Sequence, residues 1–420
     1  MGMDFKQTGD TYQFDLKNGV VIEIERLSEE AGGLTGEITI ADHSGLSTRL
    51  LHSARLNVMS TPSRNALVKA LNTAKNWDGW AKALEDVCYL AKDHYRQGDP
   101  LVDLANLPPA ERPRWLVWPF IEFGGPTVLF GDGGTGKSFF ATAFCASIAG
   151  GFSLVGTLKS APMSVLYLDW ETDQWTHAAR LKAICAAIDR QPPQGVFYRR
   201  QTASLEASAA NLRREIAKRN IGFCVIDSMA AALGGEPESA DATLRMFNAA
   251  RSLGIPWLGI AHITKSNGTN GDARKPFGSV FGHNMARMTW GAEAAQDAGE
   301  DYKGITITNY KCNNGRIQKP QTYRLQFHND DQDNLLGVDI SSCDVADFPS
   351  LAAKLPLRQR ILTALKAGMH TYEELEAETG ADNHQLRARM TELVRSGDVI
   401  NIPVGKTSNF GLASRREGSF

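Results

Sequence analysis

Thr127-Val128-Leu129-Phe130-Gly131-Asp132-Gly133-Gly134-Thr135-Gly136-Lys137-Ser138 runs from a short apolar strand into a glycine-rich loop, and residues 139–149 continue with helical spacing. The order strand, glycine loop, helix is what turns the pattern into chemistry. Glycines let successive backbone N–H groups wrap a phosphate, and the helix N-terminus adds partial positive charge. Gly131, Asp132, Gly133, Gly134, Thr135, Gly136, Lys137, Ser138 and Phe139 are therefore the expected nucleotide-binding residues. Lys137 is expected to reach the β- and γ-phosphates of ATP, and Ser138 to ligate Mg2+. A glycine turn with a chance Gly-Lys-Ser is the alternative, and the correct flanks on both sides argue against it.

Three further apolar runs end in chemistry-bearing residues. Ser164-Val165-Leu166-Tyr167-Leu168 leads into Asp169-Trp170-Glu171-Thr172-Asp173. A carboxylate at the C-terminal end of a parallel strand lies on the ligand-binding edge of the sheet. Glu171 is the candidate to orient or deprotonate the attacking water, with Asp169 and Asp173 competing for that role. Phe223-Cys224-Val225-Ile226 is capped by Asp227, expected to hold Mg2+ opposite Ser138. Ser228 follows, not a second acid, so a base must come from another strand, as Glu171 does. Trp257-Leu258-Gly259-Ile260-Ala261 carries His262 at its tip, a candidate sensor of the γ-phosphate or simply a structural histidine. The loop at 263–282 holds Lys265, Arg274 and Lys275 among Ser, Asn and Gly, with Phe277 and Phe281 near its end. Basic residues with aromatics suit the backbone and bases of single-stranded DNA, and a plain surface loop is the other reading.

Composition narrows the class. Of 420 residues, 42% are hydrophobic and 22% charged, as in soluble globular proteins, and the length implies two or three domains. Lys and Arg number 45 against 47 Asp and Glu, a net charge of −2, so nucleic-acid contact must come from local basic loops. No apolar run reaches the roughly 18 residues a membrane span needs. The start, MGMDFKQTGD, has no basic and apolar leader, and a cytoplasmic location is expected. Cys88, Cys145, Cys185, Cys224, Cys312 and Cys343 are scattered without zinc spacing, as reduced thiols would be.

Around the glycine loop, residues 120–335 alternate short strands and amphipathic helices, an α/β pattern of the doubly wound or RecA-like kind. Residues 1–98 form an N-terminal domain. In it, the alternation of Tyr12, Phe14 and Leu16 and of Val20, Ile22 and Ile24 predicts a β-rich part over 1–57, and helical spacing follows at 61–96. Proline-bearing 99–119 and the stretch 336–356 read as linkers. Residues 357–420 read as a winged helix: three helices, then a strand–turn–strand through Gly405 and Lys406. Arg387, Arg389 and Arg395 lie on its third helix, yet acids nearly balance bases, so DNA and protein contact are equally open.

Taken together, GDGGTGKS, LYLDWETDQWTHAARL, FCVIDS, GIAHITK and GSVFGHNMAR resemble the RecA-like hexameric helicases, most closely the plasmid RepA-type replicative helicases, over roughly residues 120–330. The resemblance implies an arginine near the nucleotide, here Arg180. It also implies that the strand pair containing Ile305 to Arg316 is the hairpin that enters a neighbour's ATP site. DnaB-type enzymes carry K-x-R-N-G there, with Lys and Arg acting in trans. Lys311 fits, but Asn313 stands where the arginine would be, so the finger falls to Lys311 alone, to Arg316 or to Arg287. The family implies a homo-oligomeric ring, commonly a hexamer, with single-stranded DNA in a basic channel and replication proteins as further partners. Two other functions compete. One is an ATP-switched DNA-binding regulator or helicase loader; the weaker is a nucleotide or small-molecule kinase, which has no use for a winged helix.

Overall fold

The period-two alternation of the first fifty residues folds as a five-stranded antiparallel sheet in sequence order: β1 (Met3–Thr8), β2 (Thr11–Leu16), β3 (Val20–Glu30), β4 (Gly33–Asp42) and β5 (Arg49–Asn57). The computed structural model describes residues 3–8, 11–30, 32–98, 101–109, 114–236, 239–263, 280–404 and 407–413. Tyr12, Phe14, Leu16, Val20, Ile22, Ile24, Leu34, Ile38 and Ile40 all point to one buried face. A one-sided apolar sheet needs a cover, and α1 (Thr61–Ala74) and α2 (Trp80–Gln97) supply it with Leu67, Leu71, Trp80, Leu84 and Val87. Ser60 caps α1 by accepting from the Ser63 N–H, and Trp80, fully buried, donates its indole N–H to the Lys75 carbonyl at 2.9 Å. This first compact unit takes in residues 1–112 together with 203–221 and 245–255. The Arg214 guanidinium pairs there with the Glu25 carboxylate.

The second unit comprises 113–202, 222–244 and 256–420. In chain order its elements begin with β6 (Trp115–Trp118), β7 (Ile121–Glu122), β8 (Thr127–Phe130), α3 (Lys137–Gly150), β9 (Thr157–Leu158), β10 (Ser164–Asp169), α4 (Gln174–Ala186) and β11 (Val196–Arg200). The chain then passes through α5 (Leu205–Arg219), which belongs to the first unit, β12 (Ile221–Asp227), α6 (Met229–Ala232), α7 (Ala240–Ser252), whose second half also belongs to the first unit, β13 (Trp257–Ala261) and α8 (Val280–Met285). β14 (Met288–Ala295), β15 (Tyr302–Cys312), β16 (Gln321–Asn329) and β17 (Leu335–Ser342) complete the sheet.

Nine of these strands form one sheet in the order β11-β10-β12-β13-β8-β14-β15-β16-β17. β12, β13, β8 and β14 pair in parallel, as do β10 and β11, and the Trp170 N–H donates to the Asp227 carbonyl at 2.8 Å, setting the ends of β10 and β12 side by side. The C-terminal ends of these strands therefore share one edge, where ligands bind in such sheets. One strand, β13, separates the glycine-loop strand β8 from the Asp227 strand β12. β15 runs antiparallel to β14, so it begins at the ligand edge with Lys303 and ends at the opposite edge with Lys311. α3 is buried along almost its whole length against Leu129, Tyr167, Val225, Ile260 and Tyr323, which seats the loop that precedes it.

The two segments expected to be linkers contain structure. The stretch 99–119 contains β6, which pairs with β7 and β9 in a three-stranded sheet, and 336–356 opens with β17, the last strand of the large sheet. Proline density and weak periodicity hide strands this short or this close to an edge. At the C-terminus, after the short α9 (Pro349–Ala352), α10 (Leu357–Ala367), α11 (Tyr372–Thr379) and α12 (Asn383–Arg395) precede the antiparallel pair β18 (Val399–Val404) and β19 (Thr407–Leu412). Ile361, Leu365, Leu375, Leu386, Met390, Leu393 and Phe410 form their core, and Thr371 with Glu374 makes a capping box at the start of α11. Among the described residues no helix is long and apolar enough to cross a membrane.

Candidate nucleotide site

The glycine loop leaves β8 at Gly131, whose N–H is held by the Ala261 carbonyl at the tip of β13. Gly134 and Gly136 sit at φ +73° and +86°, a region that penalises any side chain. At Gly136 space is short too, since a Cβ would lie 2.6 Å from Ile305 Cδ1 and that side chain would have to shift. Gly136 then caps α3, leaving the first-turn N–H groups of the helix facing the cleft.

Lys137 is only 5% exposed. Its Nζ donates to the Gly131 and Asp132 carbonyls at 2.8 and 2.7 Å and to Thr135 Oγ1 at 3.3 Å. Burial lowers the pKa of the amine, against the pull of Asp227, Glu171 and Asp132. Among the described residues this desolvated ammonium has two carbonyls and a hydroxyl as partners, an arrangement suited to receiving a polyphosphate as counter-charge.

Asp227 Oδ2 accepts from Ser138 Oγ at 2.9 Å and from the Tyr167 hydroxyl at 2.6 Å. Burial raises its pKa, opposed by those two donors. One hydroxyl and one carboxylate from separate elements thus converge beside the phosphate loop. That suits Mg2+, which keeps several waters and phosphate oxygens and takes few protein ligands. No cluster of three or more His, Cys, Asp or Glu able to hold a metal by itself occurs among the described residues.

The three carboxylates after β10 separate cleanly. Asp169, 1% exposed, accepts from the backbone N–H groups of Glu171 and Thr172. Asp173 caps α4 by accepting from the Trp175 and Thr176 N–H groups at 2.7 and 3.1 Å. Both are committed to the chain, whereas Glu171 is 43% exposed and lines a cleft of about 290 Å³ with Lys137, Ser138, Arg180, Asp227 and His262. Its Oε1 lies 3.6 Å from His262 Nε2.

Three lining residues escaped the sequence reading. Lys303 donates to the Gly134 carbonyl at 2.8 Å, and burial lowers its pKa. Phe327 meets Phe139 edge-on at 5.5 Å, and the Arg180 guanidinium lies 5.3 Å from the centre of the same ring. Thr172, at the rim, had no motif to mark it. A lone lysine or phenylalanine on a late strand carries no local signal, because only the sheet order brings it to the loop.

Lys311, Arg287 and Arg316 are not in this cleft. Lys311 stands opposite Thr289, which stands opposite Val128, so the β15–β16 turn extends past the N-terminal end of β8. The Lys311 ammonium donates to the His283 and Asn284 carbonyls at the end of α8, both at 2.9 Å; burial and the nearby Arg287 lower its pKa. Arg287 and Arg316 are exposed at the same edge. Lys265, Arg274 and Lys275 lie outside the described residues, as does Phe277.

Residues 95–268 match the family model of the AAA domain. Within that stretch the order strand, glycine loop, helix is that of a P-loop core. Among solved structures, this chain is similar to the flagellar accessory protein FlaH from Methanocaldococcus jannaschii, with a TM-score of 0.35 and 13% identity over 53% of this chain and 91% of that one. No curated protein matches the chain.

Proposed function

We propose that ATP hydrolysis in this cleft drives movement along single-stranded DNA, as in the RepA-type replicative helicases of plasmids, phages and similar elements. The observation that carries the reading is the split between the two edges of the sheet. The ATP cleft with Glu171 lies at one edge, and Lys311, Arg287 and Arg316 lie at the other, where they cannot serve their own nucleotide. In a head-to-tail ring, commonly a hexamer, that basic edge meets the cleft of the neighbouring subunit. Lys137 and the loop N–H groups bind the phosphates, Ser138 and Asp227 hold Mg2+, and Glu171 orients the water. The ion supplies charge neutralisation at the β- and γ-phosphates. His262, beside Glu171, senses the γ-phosphate and passes its loss to the loop bearing Lys265, Arg274 and Lys275, which grips the DNA backbone.

The three helices and strand pair at 357–412 support a winged-helix reading. On the third helix, Arg387 stacks over Tyr372 at 4.5 Å and Arg389 pairs with Glu392, so these cations are engaged within the module. That favours a protein partner of the replication machinery for this unit over a second DNA site.

A forked duplex tests the motor. Strand separation that requires ATP and disappears in Lys137→Ala and Glu171→Gln supports it. Hydrolysis stimulated by DNA without strand separation replaces it with an ATP-switched regulator or loader. Native mass that stays monomeric with ATP and DNA removes the shared-site part of the proposal.

A further inference from the structure

Beside Glu171, at the wall of the cleft, the chain builds a hydrogen-bonded lock. The Asp169 carboxylate, at the end of β10, accepts from the N–H of Glu171 at 2.9 Å and the N–H of Thr172 at 3.2 Å. It also accepts from the Thr172 hydroxyl at 2.8 Å and the Tyr198 hydroxyl of β11 at 2.9 Å. These donors hold Asp169 ionised, and its pKa is lowered although burial opposes them.

Proton bookkeeping then fixes the next member. Thr172 has one hydroxyl proton, and it goes to Asp169. With that proton on Asp169, the ring is the donor at the 2.9 Å contact between Thr172 Oγ1 and His177 Nε2, and the same Nε2 also lies 3.3 Å from Asp169 Oδ2. His177 is 7% exposed, rests 4.3 Å from the Tyr167 ring, and its Nδ1 has no hydrogen-bond partner among the described residues. The neutral ring protonated on Nε2 fits this pocket, while a second proton would bury an unpaired N–H. His177 belongs to α4, whose start is pinned by Asp173. The chain of donors thus runs from α4 to the end of β10, chiefly through Thr172 with a longer direct contact to Asp169, and fixes two consecutive N–H groups on either side of the Glu171 carbonyl.

We propose that Asp169, Thr172 and His177 are positioning residues for Glu171, the run His177 Nε2–H to Thr172 hydroxyl to Asp169 carboxylate holding its backbone so that its side chain stays over the cleft. This rests on Glu171 as the residue that handles the attacking water. Displacing such a group by about 1 Å lowers turnover by up to about a hundred-fold without weakening nucleotide binding.

The test uses the full chain and four variants. Thr172→Val removes the relay hydroxyl at nearly constant volume. It should lower the single-turnover hydrolysis rate about ten-fold or more, with the Kd for a non-hydrolysable ATP analogue within about two-fold. Thr172→Ser restores the hydroxyl and should recover most of the rate. His177→Gln, which keeps an N–H donor, should outperform His177→Leu. In a Glu171→Gln background Thr172→Val should cost nothing more, because the relay acts only through Glu171. A Thr172→Val rate within about two-fold of the unaltered chain overturns the relay, as does an equal loss with and without Glu171. If Glu171→Gln itself hydrolyses normally, the water-handling reading fails first. Thermal unfolding midpoints of the variants separate a lost relay from a lost fold.

Discussion

Gly136→Ala is the substitution whose effect can be worked most fully from the geometry. The residue sits at φ +86°, where an L side chain costs about 1–2 kcal/mol. A new methyl would also approach Ile305 Cδ1 to 2.6 Å, and because Ile305 is fully buried that carbon can turn aside only by pressing on packed neighbours. Overpacking of that kind costs about 1–3 kcal/mol. The two terms together, about 2–5 kcal/mol, are a large part of the stability of an ordinary domain, about 5–15 kcal/mol. The loop can escape only by moving away from β15, which takes the N–H groups off the phosphates. Gly136→Ala should therefore lower both the denaturation midpoint and ATP affinity. Adding Ile305→Val removes the clashing carbon and should recover the overpacking share but not the backbone share. Urea unfolding and equilibrium binding of a fluorescent ATP analogue read the two effects. Equal midpoints and affinities for the unaltered chain and Gly136→Ala would refute the reasoning; so would a double variant no better than the single one.

Three further expectations follow from the same structure. Tyr167→Phe removes one of the two hydroxyl donors to Asp227, so half-saturation of hydrolysis by Mg2+ should move to higher concentration, as a metal titration would show. His177 has its pKa lowered by burial, so below about pH 6.5 the unfolded chain takes up a proton that the folded ring refuses. Its contribution is thus complete above that pH and lost as pH falls; urea midpoints between pH 5 and 8 should drop on the acid side, and less so in His177→Gln. Trp80→Ala should cost about 3–5 kcal/mol, measured as a fall in the thermal unfolding midpoint, by emptying the centre of the N-terminal sheet-and-helix core.

What could be read before folding was what short-range chemistry decides. Alternation at Tyr12, Phe14 and Leu16 marked a one-sided strand, and the apolar run before Gly131 marked a buried one, because each pattern spans only a few residues. Glu171 was separable from Asp169 and Asp173 only in three dimensions, where the latter two are consumed by backbone N–H groups. Lys303 and Phe327 reach the cleft because β15 and β16 follow β14 across the sheet, a fact of strand order with no local signature. The same strand order sends Lys311 to the far edge, so its distance from its own nucleotide became visible only with the register. The short strand β6 hid in a proline-bearing stretch, and β17 in a weakly periodic one.

Glu171 shares its cleft with Lys137, Ser138 and Asp227, and the proposed function makes it the carboxylate that handles water there. Single-turnover hydrolysis of ATP by Glu171→Gln, beside its affinity for ATP, tests this most directly. The predicted result is a rate lowered about 10²–10⁴-fold with affinity changed by no more than a few-fold. Hydrolysis at the rate of the unaltered chain would contradict it.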